Sequence, residues 1–425
     1  MTPPLPHVVI VGGGFAGLWA VRALRNAPVR VTLLDRGNHH LFQPLLYQVA
    51  TAGLSAPDIA APLRQILRRQ ENVEVRMATV SRIDADARRV EIEDATGGQL
   101  LDFDYLMLAS GVTHDYFGND EWAAHAPGLK TLDDALDLRR KLLLAFERAE
   151  SESDPDERDA WLSFAIIGGG PTGVELAGTL SEIARHTLKG EFRNIDPARA
   201  RVRLVEAGPR VLASFPDDLS CKARTQLEKL GVEVHTGVPV EEITAEGYRR
   251  GDEFVRARTV VWAAGVAASP LAQCLGVPLD RAGRVRVQPD LSVPGHPCIF
   301  VAGDLAAVDR ADGKPVPGVA PAAKQMGRHV ARTIRARLDG REGAPFRYRD
   351  YGNLATIGRM AAVVDLGAWR FSGMLAWWFW LLAHLFFLVG FRNRSVVLLN
   401  WSVAYWTHQR AARIILGGDD RSDTK

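Results

Sequence analysis

Cysteine is scarce in this chain, and the few cysteines present lie far apart. Cys221, Cys274 and Cys298 are the three among 425 residues, and no two of them form a Cys-x-x-Cys motif. An odd, dispersed set of this kind argues against a disulfide framework, a thiol-metal site and a catalytic thiol pair. Low-complexity runs and short repeats are also missing, as expected of an ordinary globular protein.

An excess of charge of one sign is lacking through most of the chain. The formal net charge is +2, with 52 lysines and arginines against 50 aspartates and glutamates, so no nucleic-acid partner is predicted. No cluster of histidine, cysteine and aspartate has metal-ligand spacing, and no metal is predicted. Residues 1–7 have neither the basic region nor the cleavage site of a signal peptide, so we expect the body of the chain to face the cytoplasm.

A glycine-rich loop follows the first apolar strand. Residues 8–11 are Val-Val-Ile-Val, and Gly12, Gly14 and Gly17 then form a Gly-x-Gly-x-x-Gly motif that continues as a helix. In this setting the glycines permit a tight turn, the approach of a pyrophosphate and close helix packing. Asp35 ends the next strand, eighteen positions after Gly17, where a carboxylate can accept from ribose hydroxyls. The residues assigned to this nucleotide are Gly12, Gly14, Phe15, Ala16, Gly17, Asp35 and Arg36.

The same pattern recurs after a second apolar strand. Gly168, Gly170 and Gly173 form the second motif, and the following strand ends in Glu206, 33 positions after Gly173. That spacing exceeds the usual value of about 20, and an insertion at 189–200 accounts for the excess. An acid here favours the free 2′-hydroxyl of NADH, although Arg210 leaves NADPH open. The residues assigned to this nucleotide are Gly168, Gly170, Gly173, Glu175 and Glu206.

Later motifs indicate which loop holds which nucleotide. Residues 298–304 form an apolar strand ending in Gly303-Asp304, which resembles the late flavin motif of two-dinucleotide-binding flavoproteins. Segments 105–111, ending in Gly111, and 260–265 resemble the crossover strands of such chains. The first loop is therefore expected to hold FAD, together with Gly111, Gly303 and Asp304, and the second to hold NADH.

These motifs predict an α/β fold with two Rossmann-like domains, the NADH domain inserted in the FAD domain, and a C-terminal helical membrane anchor. The expected boundaries are 1–115 for the first part of the FAD domain, 116–265 for the NADH domain, 266–340 for the second part of the FAD domain, and 341–425 for a membrane-anchoring and dimerisation region.

Four longer blocks narrow the resemblance to one family. They are residues 39–50 (HHLFQPLLYQVA), 169–178 (GGPTGVELAG), 351–359 (YGNLATIGR) and 390–394 (GFRNR). With the order of the nucleotide motifs, they resemble the type II NADH:quinone oxidoreductases, the single-subunit, non-proton-pumping NADH dehydrogenases of respiratory membranes. The resemblance implies bound FAD, NADH as hydride donor, a membrane quinone as acceptor, and a homodimer.

One segment departs from the family pattern. Many members carry two glutamines, as Gln-x-Ala-x-Gln, where residues 319–327 here read VAPAAKQMG, so Pro321 replaces the first glutamine and Gln325 remains. The resemblance assigns quinone contact to Gln325, and Lys324 is a second candidate whose alternative is a solvated helix charge. Pro321 is well placed to begin a helix over 321–338, whose positive end would stabilise an anionic reduced flavin.

Glu175 is a second candidate catalytic residue, beside Gln325. Its position two residues after Gly173 predicts that it lies on the first turn of the helix. Family resemblance places a carboxylate there near the nicotinamide and flavin, where it would orient NADH or assist proton delivery. The alternative is a carboxylate that serves only the helix dipole.

The C-terminal segment differs from the rest in charge and apolarity. Residues 366–418 contain no aspartate or glutamate. An apolar helix is predicted over 374–391, whose length of roughly 27 Å compares with about 30 Å of hydrocarbon, and an interfacial helix over 395–416. A single spanning helix and a buried, dimer-forming pair are the alternatives to a monotopic anchor, which the resemblance favours.

The predicted function is the oxidation of NADH by hydride transfer to FAD, followed by two-electron reduction of a membrane quinone, ubiquinone or menaquinone, at the cytoplasmic side of the inner membrane. A reductase with a soluble iron-sulfur partner is one alternative. A non-catalytic redox sensor that binds FAD and NADH is another.

Overall fold

The computed structural model describes residues 4–310, 312–389, 391–407, 410 and 412–415. They form two compact units, each of which gathers separate stretches of the chain. Unit 1 comprises Met1–Leu41, Ala60–His114 and Val266–Tyr351, and unit 2 comprises Phe42–Ile59, Asp115–Gly265 and Gly352–Lys425. Unit 2 therefore contains the segment 116–265 predicted as the NADH domain, and also residues 42–59, which the sequence assigned to the first part of the FAD domain.

The secondary structure alternates between strands and helices over most of the chain. The helices are α1 Phe15–Ala23, α2 Leu46–Ala50, α3 Ala56–Ile59, α4 Leu63–Leu67, α5 Leu132–Ser151, α6 Pro155–Trp161, α7 Pro171–Glu182, α8 Asp217–Lys229, α9 Ala320–Leu338, α10 Met374–Phe387 and α11 Phe391–Thr407. The strands are β1 His7–Val11, β2 Arg30–Asp35, β3 His39–Leu41, β4 Ala60–Pro62, β5 Val73–Met77, β6 Thr79–Asp84, β7 Arg89–Asp94, β8 Gly97–Asp102, β9 Tyr105–Leu108, β10 Val112–His114, β11 Ser163–Ile167, β12 Arg201–Glu206, β13 Val232–Thr236, β14 Glu242–Thr244, β15 Gly247–Arg250, β16 Glu253–Arg256, β17 Thr259–Trp262, β18 Val266–Ala268, β19 Val285–Arg286, β20 Ser292–Val293, β21 His296–Val301, β22 Ala306–Ala307, β23 Asn353–Gly358, β24 Ala361–Asp365 and β25 Arg370–Ser372.

The core of unit 1 is a six-stranded sheet in the order β20-β21-β9-β1-β2-β5. All its pairings are parallel except β20 with β21. Every residue of β1 is buried, because a parallel sheet covered on both faces suits a continuous β-branched run. Helices α1 and α9 cross at Gly327, where a Cβ would lie 2.0 Å from the carbonyl oxygen of Ala16. The sheet thus brings the loops after β1, β9 and β21 to one edge.

Unit 2 contains a four-stranded parallel sheet in the order β13-β12-β11-β17. Strands β9 and β17, which the sequence predicts as crossovers, lie in the sheets of unit 1 and unit 2 respectively. Immediately after them, β10 and β18 pair antiparallel within unit 1. The predicted insertion at 189–200 contains no α-helix or strand, only a 3-10 turn at Pro197–Arg199.

The C-terminal part of unit 2 is an antiparallel sheet, β23-β24-β25, followed by two helices. Strand β23 lies against α7 so closely that a Cβ on Gly178 would approach the carbonyl oxygen of Ile357 to 1.6 Å. Glycine is therefore required on the helix at this point, which explains part of the block at 169–178.

The two C-terminal helices differ in extent from the prediction. Helix α10 ends at Phe387 instead of 391, with an extended residue at Leu388, and α11 begins at Phe391 and ends at Thr407. Arg394 explains the early break, because its guanidinium donates to the carbonyl oxygens of Phe386 and Leu388, both at 2.8 Å. Among the helices of the described ranges, none is long and apolar enough to cross a membrane.

Candidate functional site

The first glycine loop in unit 1 has the backbone that a dinucleotide needs. Gly12 has φ +106°, and a Cβ there would lie 2.3 Å from the carbonyl oxygen of Ala109. A Cβ on Gly17 would lie 1.8 Å from the carbonyl oxygen of Gly12, so both positions exclude any side chain. Around Gly14, by contrast, no protein atom lies within 4 Å of the Cβ position. The loop is therefore packed tightly from behind and open on the side from which a pyrophosphate would approach.

Asp35 holds this loop by its carboxylate. Gly13 N–H donates to Oδ2 at 2.5 Å, and Gly37 N–H donates to Oδ1 at 2.7 Å. Each oxygen keeps a second lone pair, so the carboxylate can also accept from ribose hydroxyls. Arg36, the neighbouring candidate, is exposed.

The late motif lies close to the start of α1. Gly303 has φ +75°, and a Cβ on it would lie 3.4 Å from the Cβ of Ala16. Its N–H donates to the sulfur of Met326 on α9 at 3.2 Å, and Asp304 is half-buried beside it. Unit 1 thus places Gly303, Asp304 and the beginnings of α1 and α9 at one edge of its sheet.

Gly111 and its neighbour complete this edge of unit 1. Gly111 has φ +71°, and its carbonyl oxygen accepts from the N–H of Ser269 at 3.2 Å. The hydroxyl of Ser110 is buried and has no hydrogen-bond partner within the described part of the chain. A buried hydroxyl without a protein partner is one feature that fits a site built for a further group.

Lys324 is buried and is not the solvated helix charge that was the alternative. Only 8% of the residue is exposed, and Nζ lies 4.9 Å from the ring centroid of Phe15 and 4.6 Å from that of Trp19. Burial, followed by the charges of Arg328 and Arg22, lowers the pKa of Lys324 to about 8. Lys324 therefore contributes a cation–π contact between α9 and α1.

His40, beside Phe15 and Trp19, supports the first glycine loop. Its Nδ1 lies 2.9 Å from the carbonyl oxygen of Gly13, and its ring lies edge-on to Phe15 at 5.0 Å. Burial lowers the pKa of His40 to about 4, so the ring is neutral and Nδ1 carries the proton that it donates. The block at 39–50 therefore helps to shape the nucleotide loop.

Gln325 uses its amide for a contact within unit 1. Nε2 donates to the carbonyl oxygen of Arg349 at 2.9 Å, and Oε1 accepts from the N–H of the same residue at 2.9 Å. These two bonds fix the segment that follows α9, and they occupy the amide oxygen and one of the two N–H groups. The assignment of Gln325 to the quinone stays a prediction.

The second glycine loop, in unit 2, repeats the geometry of the first. Gly168 has φ +116°, and a Cβ on it would lie 2.6 Å from the carbonyl group of Ala263. A Cβ on Gly173 would lie 1.9 Å from the carbonyl oxygen of Gly168, whereas nothing lies within 4 Å of the Cβ position of Gly170. Pro171 begins α7, whose first turn contains no acid to repel a phosphate.

Glu206 occupies the position that Asp35 has in unit 1. Gly169 N–H donates to Oε2 at 2.6 Å and Gly208 N–H donates to Oε1 at 2.7 Å. Arg210 binds its own loop instead, since its guanidinium donates to the carbonyl oxygen of Phe215 at 2.7 Å and lies 3.0 Å from the carboxylate of Asp217. Arg210 is thus held by neighbours that would have to release it before it could bind a 2′-phosphate.

Glu175 lies beyond the first turn of α7, which corrects the predicted position. Because Pro171 is the first helical residue, Glu175 is the fifth, and the first turn carries no acid. Its side chain is buried and accepts from the N–H of Thr356 on β23 at 3.4 Å. Burial raises the pKa of Glu175 well above its ordinary value. A carboxyl that lies one turn inside the helix, where burial favours its neutral form, interacts little with the helix dipole, which argues against that alternative.

A pocket of about 120 Å³ lies within unit 2, and the sequence did not predict its lining. Trp401 Nε1 donates to Oε1 of Gln48 at 2.7 Å, and Nε2 of Gln48 donates to the hydroxyl of Tyr47 at 2.9 Å. Its apolar wall is formed by Trp377, Trp380 and Leu381 of α10 and by Trp401 and Ala404 of α11. The pocket therefore combines an aromatic wall with a short row of hydrogen-bonding groups.

A largely buried ion pair forms another part of this pocket. Arg410 Nη2 lies 3.5 Å from Oε2 of Glu182, and Nη1 donates to the carbonyl oxygen of Thr51 at 3.1 Å. Glu182 also accepts from the N–H of Arg359. Burial raises the pKa of Glu182, while the charge of Arg410 is the largest opposing influence. The sequence signal for this pair is the absence of aspartate and glutamate from residues 366–418, which leaves Arg410 without an acidic neighbour within that segment.

Two family models match the chain. The pyridine nucleotide-disulphide oxidoreductase model covers residues 6–327, and the NDH2 C-terminal domain model covers residues 351–407. Despite the name of the first, all three cysteines of this chain are free thiols. The class is therefore a nucleotide-dependent oxidoreductase with two Rossmann-like units.

Individual relatives narrow this class. The type II NADH:quinone oxidoreductase Ndh of Mycobacterium tuberculosis is 46% identical over 96% of this chain and 90% of its own length, and NdhA of the same organism is 45% identical over 96% and 89%. The solved structure of NDH2 from Plasmodium falciparum in complex with NADH superposes with a TM-score of 0.89, at 18% identity, over 97% of this chain and 100% of that one. This chain belongs to the type II NADH:quinone oxidoreductases. The predicted α/β fold with two Rossmann-like units and the predicted family are thereby confirmed, and the membrane anchor stays a prediction.

Proposed function

We propose that this chain oxidises NADH and reduces a membrane quinone by way of bound FAD, without pumping protons. The observation that carries the proposal is the pair of equivalent glycine loops, one in each unit, in a chain that is 46% identical to a type II NADH:quinone oxidoreductase. FAD, when bound, supplies the chemistry that accepts two electrons as a hydride and gives them to a quinone. The protein supplies binding, orientation and electrostatics.

Unit 1 fits the flavin nucleotide. The open side of Gly14 admits a pyrophosphate, Asp35 accepts from a ribose, and Asp304 ends the late motif directly after Gly303. Helix α9 begins at Ala320 with a proline in its first positions and no acid in its first turn. No acidic side chain in the first turn of α9 offsets the partial positive charge at its N-terminus, which would therefore favour a negative charge placed there.

Unit 2 fits NADH. Glu206 has both oxygens bonded to loop N–H groups, so its negative charge is fixed beside the position of the adenine ribose. A fixed carboxylate accepts from a free 2′-hydroxyl and repels a 2′-phosphate. Since Arg210 is bonded to Phe215 and Asp217, the unit offers no ready counter-charge from that residue, and NADH is favoured over NADPH.

The pocket of unit 2 has the character of a quinone site. A quinone is a flat apolar ring with two carbonyl oxygens, and the pocket offers aromatic walls with N–H and O–H groups from Trp401, Gln48 and Tyr47. Burial and then the negative charge that Glu175 carries when it is ionised raise the pKa of the Tyr47 hydroxyl, so the two groups are close enough to interact. Burial favours the protonated form of Glu175, which can donate one of the two protons that quinol formation requires.

The C-terminal helices present an apolar surface suited to a bilayer. On α10, Leu375, Leu382 and Phe386 are 71%, 62% and 69% exposed, and on α11 Leu399 and Trp406 are 63% and 80% exposed. On α10 the exposed residues follow a helical repeat and form one face. At about 1.5 Å per residue the 14 residues of α10 extend only about 21 Å, which suits a helix lying in the interface. We place the protein on the cytoplasmic face of the inner membrane as a monotopic homodimer.

The test is the steady-state rate of NADH oxidation with and without a short-chain quinone, in detergent or lipid. Wild type should turn over rapidly only with quinone and should prefer NADH to NADPH. Gln48→Ala and Trp401→Phe should raise the KM for quinone about tenfold or more and leave the KM for NADH unchanged, because each removes part of the hydrogen-bonded row. Gln273→Ala, at an exposed turn of unit 1, is the matched control.

Each alternative function predicts a different result. Bleaching of the flavin by NADH, with reoxidation by an iron-sulfur protein and not by any quinone, would establish a soluble partner. A reduced flavin that no acceptor reoxidises would indicate a redox sensor. If turnover with quinone is rapid but both variants behave as wild type, the quinone binds outside this pocket, and Gln325 and Lys324 become the first residues to vary.

A further inference from the structure

A depression of about 540 Å³ in unit 1 is lined by four exposed arginines. Arg22 and Arg25 come from the end of α1, and Arg68 and Arg69 come from the turn between α4 and β5. The remaining lining consists of Gln65, Ile66, Leu67 and Gln70, so no carboxylate contributes to it. We call this depression the arginine pocket.

Several other arginines of unit 1 have a carboxylate partner. Arg284 and Arg337, for example, lie 2.7 and 2.6 Å from the carboxylates of Asp280 and Asp290. No arginine of the pocket has such an ion pair within residues 4–310 and 312–389. Burial and then the charge of Arg328 lower the pKa of Arg22, so a fifth cation lies close enough to interact with the group. Like charges gathered without acids raise the energy of the protein unless an anion joins them.

The backbone that carries these arginines is fixed by hydrogen bonds. Gln70 Nε2 donates to the carbonyl oxygen of Val21 at 2.9 Å, and Asn72 Nδ2 donates to that of Leu24 at 3.0 Å. Arg25 itself donates to the carbonyl oxygen of Arg69 at 2.9 Å. The end of α1 and the turn after α4 are therefore held together. The backbone that carries the arginines is preorganised, so ligand binding does not require these two segments to be brought together.

Neutralisation of helix ends does not account for the group. Arg22 lies in the last turn of α1, and the four-arginine group also flanks the end of α4. A helix C-terminus carries about half a negative charge, so two ends offset about one of the positive charges. The pocket keeps a substantial positive field after this contribution.

The arginine pocket is separate from the nucleotide loop of the same unit. Gly14 precedes the first residue of α1, whereas Arg22 lies in its last turn. The nine residues of this helix extend about 13 Å, which separates the pocket from the phosphate position at the loop. An anion bound at the pocket is thus a second ligand of unit 1.

We propose that the arginine pocket binds a ligand that carries two or more phosphate groups. Guanidinium groups present planar pairs of N–H donors that match phosphate oxygens, and several arginines on a fixed backbone favour a polyphosphate over a single anion. The volume is sufficient for a small ligand of this class. A soluble polyphosphate and the headgroup of a diphosphate lipid share this chemistry, and the experiment separates the two sources.

The experiment uses the full-length protein with FAD bound and with NAD⁺ at saturation, so that both nucleotide loops are filled. Inorganic pyrophosphate is titrated by calorimetry into wild type, into Arg25→Gln/Arg68→Gln/Arg69→Gln, and into Arg82→Gln/Arg89→Gln/Arg341→Gln. The control removes the same charge from exposed arginines of unit 1 that have acidic partners. In parallel, sedimentation with phosphatidylcholine vesicles, with and without cardiolipin, is measured for all three proteins. Flavin absorbance verifies that each variant is folded.

Saturable binding of pyrophosphate that weakens about tenfold or more in the pocket variant, and less than about twofold in the control, supports the site with a soluble ligand. A cardiolipin-dependent gain in sedimentation that the pocket variant alone loses supports it with a lipid headgroup. If the pocket variant and the control behave alike with both probes, or wild type binds neither, the proposal is wrong. Retention of NADH:quinone activity in the pocket variant would distinguish these outcomes from a failure of the proposed function.

Discussion

The two glycine loops have almost the same backbone but different surroundings. In both, the first glycine has a φ above +100°, the last packs onto the carbonyl oxygen of the first, and the middle one is open. In both, the acid at the end of the next strand accepts from the N–H of the glycine that directly follows the first one. Asp35 accepts from Gly13 at 2.5 Å, and Glu206 accepts from Gly169 at 2.6 Å. The nucleotide-binding loop, with its acid at the end of the next strand, is therefore a local structure that occurs twice in the chain.

The surroundings of the loops carry opposite chemistry. In unit 1, the amine of Lys324 is buried over Phe15 and Trp19 of the helix that follows the loop. In unit 2, the corresponding group is the carboxyl of Glu175, against Thr356. Two equivalent nucleotide sites can thus differ in electrostatics because the elements packed behind them differ.

Substitution of the packed glycines should have the largest effect. Gly17→Ala should expel FAD and cost unit 1 about 1–3 kcal/mol, because the new methyl would lie 1.8 Å from the carbonyl oxygen of Gly12. Gly173→Ala should abolish NADH binding in the same way, with a contact of 1.9 Å to Gly168, while the flavin is retained. Flavin absorbance and NADH titration measure the two outcomes.

The open glycines provide the matched control. Gly14→Ala and Gly170→Ala meet no protein atom within 4 Å, so the melting temperature of the apoprotein should remain near that of wild type. Each should nevertheless weaken its own nucleotide, since the methyl lies where the pyrophosphate approaches. If Gly14→Ala binds FAD as tightly as wild type, the phosphate does not bind at this loop.

Neutralising the strand-end acid of unit 2 should have the next largest effect. Glu206→Gln replaces one charged acceptor of a loop N–H by an amide that donates, so the KM for NADH should rise about tenfold or more. The preference for NADH over NADPH should fall, because the charge that repels a 2′-phosphate is lost. Steady-state kinetics with both nucleotides measures this; an unchanged ratio would mean that Glu206 does not face the ribose.

The two buried groups should give opposite dependences of stability on pH. Burial raises the pKa of Glu175 in the folded protein above its pKa in the unfolded chain. Wild type therefore loses stability as the pH rises from the unfolded-state pKa through the folded-state pKa, and the Glu175→Gln variant should become more stable relative to wild type over that interval. The pKa of Lys324 is lowered from 10.5 to about 8, so wild type loses stability as pH falls between these values, and Lys324→Met should gain there by up to about 3 kcal/mol.

Urea unfolding between pH 5 and 10.5 measures these differences. Glu228→Gln and Lys222→Met, in exposed pairs on α8, are the controls and should show less than about 0.5 kcal/mol at any pH. A pH-independent difference for either buried group would mean that it titrates as it does in the unfolded chain.

Features that depend on local sequence could be predicted. The glycine loops, the strand-end acids and the start of α9 follow from residues within one strand–turn–helix segment. The family was recognisable because the motifs occur in a fixed order. Glu175 was misplaced by one turn, because a glycine motif does not show where the helix begins, whereas Pro171 does.

Features that depend on distant parts of the chain could not be predicted. Gln48 contacts Trp401 and Thr51 contacts Arg410, which lie more than 350 residues apart in sequence. Neither pairing has a spacing signal, so the pocket of unit 2 was missed. The early end of α10 depends on the guanidinium of Arg394, six residues or more beyond the carbonyls that it binds.

Substitution of Arg210 should have the smallest effect. From its position beside Glu206 it could bind a 2′-phosphate, but its guanidinium donates to the carbonyl oxygens of Phe215 and Ala213. Arg210→Ala should therefore change the ratio of kcat/KM for NADH and NADPH less than about twofold, while the loop loses about 1 kcal/mol of stability. A large fall in the activity with NADPH alone would show that Arg210 leaves these partners and binds the 2′-phosphate. The preference for NADH would then mean that the repulsion of the 2′-phosphate by Glu206 exceeds its attraction to Arg210.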